Sequence, residues 1–375
     1  MTAELLRLHH IAMPLVRPFR TSFGTQRSRD LVLVEAVSSD GTSGWAECTA
    51  MDWPGYSSEY TDGAVHVLEH HLVPALREAD DDPHSVRDAL EVVRGHPMAK
   101  AALTTALLDL WLREHEQSLA SWLGAERTVV DCGVSVGIPA SETIAELLDE
   151  VGLYVDAGYR RIKLKIEPGW DLEPVAAVRE RWPVIPLQVD ANQAYTRDHA
   201  AHLAQLDAFD LLLIEQPLRE EDWYGHVLLS EACATPICLD ESILNVDSAD
   251  SAIRFGATSV INIKPGRVGG YLTAREIHDL CRSQGIPVWC GGMLETGIGR
   301  AANLALAALP GFTLPGDTSA SNRYYATDIT EPFVLDDGRL PVPTGPGIGI
   351  DPVPDVLREV TSGIRELSMS SGAVP

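Results

Sequence analysis

Three acids recur at one interval. Asp190, Glu215 and Asp240 each close an apolar run, and 25 residues separate the first from the second and the second from the third. The runs are Leu187-Gln188-Val189-Asp190, Leu213-Ile214-Glu215 and Ile237-Cys238-Leu239-Asp240. Lysines flank the series at the same step: Lys165 of Ile162-Lys163-Leu164-Lys165-Ile166 lies 25 residues before Asp190, and Lys264 lies 24 after Asp240. Singly, each residue has a plainer reading. Asp190 before Ala-Asn suits a turn or cap, Glu215 before Gln-Pro a salt bridge, and Lys-x-Lys the wet face of an edge strand. The constant interval sets these aside. Three carboxylates converging on one point raise one another's pKa unless a cation sits among them. A hard divalent ion such as Mg²⁺ takes oxygen ligands and keeps positions open for substrate. Two lysines across such a metal can work on opposite faces of one carbon. For either to act as a base near neutrality its pKa must fall from about 10.4, through burial and nearby cations such as the metal, Lys163 and Arg267. The matching chemistry is removal of a proton next to a carboxylate, with the metal stabilising the dianionic enolate.

The elements that must position these groups follow from the same interval, which is close to that of one strand–loop–helix–loop unit. Parallel strands in step, each ending in a charge, predict a β/α barrel with its chemistry at the strand C-termini. Lys163 and Lys165 lie on one face of their strand, and the other face, Ile162, Leu164 and Ile166, must meet helices, so the lysines face inward. Eight strands are predicted, near 129–136, 161–166, 187–190, 211–215, 236–240, 259–264, 286–290 and 312–314, with the last helix weak or absent. This (β/α)7β barrel spans residues 126–325. Ahead of it, 1–125 reads as an α+β domain. A meander runs through Arg7–Pro14, Asp30–Val37, the turn Ser39-Asp40-Gly41 and Gly44–Cys48, and helices follow at Thr61–Leu76 and Met98–Glu114. Residues 18–25, with Phe19, Phe23 and Gly24, form a loop that is either a solvent loop or a lid over substrate. Residues 326–375 are a tail, with a hairpin at Phe333–Leu340, that packs back on the first domain.

Net charge is −25, spread along the chain. That argues against nucleic acid and anionic membrane as partners, but not against a small anionic substrate, because a buried cation and lysines reverse the sign locally. Six cysteines show neither a C-x-x-C pair nor zinc spacing and read as buried residues in a reducing compartment. With no signal-peptide core in Met1–His10 and no run of membrane-spanning length, the expected location is the cytoplasm. One competing motif is Gly297-Ile298-Gly299-Arg300-Ala301-Ala302, a G-x-G-x-x-A form with Asp317 at about the distance of a ribose-binding acid. It would suit an NAD-dependent dehydrogenase, but Gly291–Thr296 separate it from its strand. Glu295 reads instead as an inward polar residue ordering Lys264.

Lys163-Leu164-Lys165, Asp190-Ala191-Asn192, Glu215-Gln216-Pro217, Asp240-Glu241-Ser242 and Asn262-Ile263-Lys264-Pro265-Gly266-Arg267-Val268-Gly269-Gly270 resemble the enolase superfamily, in its muconate-lactonising subgroup. Phe19–Gly24, Gly291–Gly297 and Leu314–Ala320 resemble, closer still, the o-succinylbenzoate synthases that also racemise N-acylamino acids. The resemblance covers essentially the whole chain. It implies a (β/α)7β modified TIM barrel under an α+β capping domain built from the N-terminal region and the C-terminal tail. It also implies Mg²⁺ (replaceable by Mn²⁺ or Co²⁺) on Asp190, Glu215 and Asp240, with Lys165 and Lys264 as acid/base pair and Lys163 on the substrate carboxylate. Arg267 matches an arginine associated with racemase-capable members. Phe19, Phe23, Met51, Tyr56, Ser135, Asn192, Gly292, Met293 and Asp317 fall where the family lines its substrate pocket. The implied reaction is dehydration in menaquinone biosynthesis, N-acylamino acid racemisation, or both, in a homo-oligomer. Dipeptide epimerase and muconate-type cycloisomerase are the alternatives of the same superfamily.

Overall fold

The computed structural model describes residues 3–369. The chain opens with β1 (Ala3–Thr21), β2 (Gly24–Ser38) and β3 (Ser43–Cys48), an antiparallel meander with the predicted turn at Asp40-Gly41. Both faces of this sheet are apolar, and the alternation of β2 explains why. Leu31 and Leu33 pack with Ile11, Met13 and Trp45 toward the barrel, whereas Val32, Val34 and Ala36 pack with Leu6, Leu8 and the helix Pro97–Glu114. The stretch predicted as one helix from Thr61 to Leu76 contains a π turn at Leu68–Leu72.

The predicted loop at 18–25 is a two-stranded ribbon instead. Phe19 pairs with Gln26, Arg20 with Thr25 and Thr21 with Gly24, leaving Ser22-Phe23 as the turn. Its tip is docked on the barrel, with Ser22 Oγ donating to the carbonyls of Ala191 and Asn192 (3.1 Å each). Arg20 pairs with Glu142 and Glu167 at 2.5 and 2.9 Å.

β4 (Val129–Asp131) is separate from the barrel strand that follows it. The barrel sheet consists of β5 (Gly133–Val136), β6 (Arg161–Lys165), β7 (Leu187–Asp190), β8 (Ile214–Glu215), β9 (Ile237–Leu239), β10 (Val260–Ile263) and β11 (Val288–Cys290), all parallel and in chain order. The predicted eighth strand at 312–314 is not a ladder. Two isolated bridges, Val288–Phe312 and Cys132–Gly316, carry the chain across the gap. Pro315 has no N–H to donate and Gly316 has no side chain to pack, so this segment cannot sustain regular pairing. The seventh and last barrel helix, Gly297–Ala307, precedes it.

In the tail, β12 (Arg339–Pro341) pairs with β4 on the barrel, while β13 (Thr361–Ser368) adds antiparallel to β1 and completes the sheet order β13-β1-β2-β3. Asp109 ties these parts together. Its buried carboxylate accepts from Trp45 N (2.7 Å), Ile348 N (2.6 Å) and Arg113 Nε (3.0 Å), joining helix, meander and tail.

Candidate active site

Parallel pairing sets the levels of the charged residues. Lys165 is level with Asp190, Asp190 with Glu215, and Lys163 with Ser135 and Gln188. Because alternate residues face inward, the lysines and acids all point into the barrel. Asp190, Glu215 and Asp240 are 0% exposed, and Lys163, Lys165 and Lys264 are buried with them.

The charges pair locally. Lys165 Nζ donates to Asp190 Oδ2 (2.5 Å) and Asn192 Oδ1 (2.6 Å). Lys264 Nζ donates to Asp240 Oδ2 (2.8 Å) and Tyr56 Oη (3.0 Å). Lys163 Nζ lies 3.1 Å from Glu215, 3.4 Å from Asp190 and 2.7 Å from Asp317. Arg267 sits 2.7 Å from Asp240 Oδ1 and donates to Ile243 O. Burial disfavours the Lys264 ammonium, but Asp240, Tyr56, Glu215 and Glu241 together outweigh it and hold the pKa well above the ordinary lysine value. A base at Lys264 requires the opposite direction, and hence a second cation competing for Asp240.

Among the described residues, no three acid, histidine or cysteine side chains are grouped to hold a metal ion as they stand. Each of the three expected ligands is turned instead to a lysine or arginine. The donor chemistry nonetheless fits a hard divalent cation. All three are carboxylates, buried together at the ends of consecutive parallel strands. Burial, and then the charge of Asp190, push the Glu215 carboxyl up to about 8, and burial with Asp240 does the same for Glu241, again to about 8. Glu241 Oε2 has no hydrogen-bond partner. Added positive charge would relieve both acids and would compete with the lysines for the same carboxylates.

A cavity opens above these groups. Phe19, Phe23, Met51, Tyr56, Lys165, Asn192, Lys264, Gly292 and Met293, all expected at the site, line it, together with Thr21, Gln26, Arg29 and Leu294. The Lys165 ammonium lies 5.9 Å from the Phe19 ring centre, and Phe23 packs against Tyr56 with ring centres 5.9 Å apart. Three expected substrate-binding residues lie off this cavity wall. Ser135 contributes its backbone carbonyl to Arg323, and its hydroxyl is buried without a partner. Lys163 is held by its three acids, and Asp317 by Lys163 and Arg161 (2.9 Å). The expected support of Lys264 by Glu295 is not present either. Glu295 accepts from Asn303 Nδ2 instead, and Tyr56 takes the place beside Lys264.

Beyond Thr21, Arg29 and Leu294 on the cavity wall and Arg161 beside Asp317, two more buried residues were not among the expected site residues. Asn262 Nδ2 donates to Glu215 Oε1 (2.7 Å), and Glu241 Oε1 accepts from Asn192 Nδ2 (3.0 Å). Asn262 had a sequence signal, lying two residues before Lys264 and so on the same strand face. Glu241, directly after Asp240, had none beyond its neighbour.

The glycine motif at 297–302 holds no space for a nucleotide. A Cβ on Gly297 would sit 1.8 Å from Thr330 Oγ1, and one on Gly299 would meet Glu295. The amides of Thr296 and Gly297, which would face a phosphate, already donate to Glu47 and Asp328.

Comparison with known proteins agrees over the whole architecture. Residues 5–124 match the N-terminal domain of the mandelate racemase / muconate lactonizing enzyme family, and 146–356 match the enolase C-terminal domain-like family. The chain is 62% identical over 359 residues to an N-succinylamino acid racemase from Amycolatopsis sp, covering 95% of this chain and 97% of that protein. It is 47% identical over 350 residues to an o-succinylbenzoate synthase from Geobacillus stearothermophilus, covering 93% of each. The crystal structure of an enolase superfamily member from Listeria innocua superposes with a TM-score of 0.94 at 40% identity, covering 99% of this chain and 100% of that one. Enzymes of this fold generally use a divalent metal. With its antiparallel cap on a curled parallel sheet and its lysines and acids at the strand ends, the chain belongs to the enolase superfamily.

Proposed function

We propose that this chain is a Mg²⁺-dependent enzyme that removes the proton α to a carboxylate, acting as an o-succinylbenzoate synthase and as an N-succinylamino acid racemase. The observation that carries this is the facing pair, Lys165 on β6 and the residue just past β10, Lys264, both lining one cavity from separate parts of the barrel. The similarity to proteins named for each activity supports it. Asp190, Glu215 and Asp240 would hold the metal, which when bound supplies positive charge against the developing enolate.

The chain's own residues do the rest. In racemisation one lysine takes the α-proton and the other returns one to the opposite face. In dehydration Lys165 takes the proton and then protonates the departing hydroxyl on the same face, while Lys264 steadies the charge. Lys163 and Arg267 keep the region cationic, Asn192 orients Lys165, and Tyr56 orients Lys264. Phe19, Phe23, Met51 and Met293 exclude water. Gly292 completes the cavity wall, and Asp317 holds Lys163 from behind it. This reading divides the chain into a cap at 1–125, a barrel at 126–325 and a tail at 326–375. It places the enzyme in the cytoplasm as a homo-oligomer. Six free, buried cysteines suit such a reducing compartment, and among the described residues no helix is long and apolar enough to cross a membrane.

The test is α-proton exchange by NMR on N-succinyl-L-phenylalanine in D₂O, with Mg²⁺ and then with EDTA. Metal-dependent loss of the α-proton with appearance of the D form is expected. Loss without inversion would leave the synthase alone, and no exchange would remove the racemase.

A further inference from the structure

Of the three cations on the cavity wall, two are neutralised where they stand: Lys165 by Asp190 and Lys264 by Asp240. The third is Arg29, on β2 of the cap. It follows the alternation that turns Leu31 and Leu33 toward the barrel, and it is 1% exposed. Its Nη2 donates to the carbonyls of Thr49 (3.1 Å) and Ala50 (3.5 Å), while Nε is buried with no hydrogen-bond partner. Among the described residues no carboxylate pairs with it. Glu47, whose charge it does feel, accepts from Thr296 through Oε2, and its buried Oε1 makes no hydrogen bond to the guanidinium. A buried guanidinium without an anion is costly, and its planar fork is suited to a carboxylate. The cavity therefore presents lysines at the barrel end and an unpaired positive charge at the cap end.

We infer that Arg29 is a specificity-determining residue that receives the distal carboxylate of a succinyl-bearing substrate while the lysines work on its α-carbon. This rests on the proposed function and names what that site selects: a substrate with two carboxylates rather than one. The distal group never reacts, so Arg29 acts on binding alone.

The experiment compares N-succinyl-L-phenylalanine with N-succinamoyl-L-phenylalanine, in which a neutral amide replaces the distal carboxylate, using the Mg²⁺-loaded enzyme. A charge-assisted hydrogen bond predicts a preference for the acid of roughly 10- to 100-fold in kcat/KM, carried by KM. The preference should collapse in Arg29→Met and be partly kept in Arg29→Lys. Equal use of both compounds by the wild type, or an undiminished preference in Arg29→Met, overturns the inference. Were Arg29 only a brace for the Thr49 and Ala50 carbonyls, its loss would depress both compounds alike. Should Arg29→Met fail to fold, the wild-type ratio and Arg29→Lys decide. Exchange of both compounds alike sinks the inference alone. Exchange of neither removes the racemase reading, and the inference with it.

Discussion

The two ends of the cavity are built differently. At the barrel end, backbone register places Lys165, Asp190 and Glu215 level with one another, and Asp240 and Lys264 follow directly on the ends of β9 and β10. At the cap end, Phe19 and Phe23 sit on a ribbon held by two hydrogen bonds from Ser22, the ion pairs of Arg20 and one backbone hydrogen bond from Ile138 N to Arg20 O. Reacting groups need sub-ångström placement, which a rigid sheet supplies. A substrate must enter and leave, which side-chain docking of a ribbon allows. The difference implies that damage to the barrel end appears in turnover and damage to the cap end in binding.

The sharpest way to break that contrast is to remove a lysine. Lys264→Ala and Lys165→Ala should each lower racemisation by roughly 10³- to 10⁴-fold with little change in KM, measured by appearance of the opposite enantiomer. A main effect on KM would show that the lysines bind rather than react.

Next in size is the tie between meander, helix and tail. Asp109→Ala leaves two amides and Arg113 Nε without their acceptor, while the rest of that guanidinium keeps Asp351 and the Ile350 carbonyl, and should cost about 3 kcal/mol in urea unfolding. The active fraction should keep its turnover. A drop in kcat would show that the cap reaches the chemistry as well as the binding.

Behind the barrel end, His226 is fully buried, and burial lowers its pKa to about 4. The unfolded chain therefore takes up this proton first. Stability from the neutral ring is present above the ordinary value of 6.5 and is lost as pH falls toward 4, by about 3 kcal/mol. In thermal melts His226→Leu should flatten that acid limb, and an unchanged slope would place the loss elsewhere.

The smallest effect is expected at the ribbon. Arg20→Ala frees a tip held partly by half-exposed ion pairs and should raise KM by about 3- to 10-fold with kcat nearly kept. High salt should reproduce part of this in the wild type. A fall in kcat alone would show that the ribbon positions the reacting groups.

Much of the barrel could be read from the sequence. The interval between Lys165, Asp190, Glu215, Asp240 and Lys264 reflects the length of one β/α unit, and alternation within each run chooses the inward face, both local properties of the chain. Residue type then limits the chemistry, since acids at a common level call for a cation. Local pattern could not supply what depends on contacts between distant segments. Tyr56 beside Lys264 joins residues 208 apart, and Arg161 with Asp317 joins residues 156 apart. The displacement of Glu295 to Asn303, the docking of the ribbon by Ser22, and the bridges in place of an eighth strand are of the same kind. So is the unpaired charge of Arg29. Its spacing on β2 is that of any inward residue, and only packing of the cap on the barrel decides that no acid meets it. The sequence by itself determined which groups stand at the strand ends, because strand period and burial are local. Tertiary structure alone decided which charge each group faces, because a side chain's partner is set by how separate segments pack.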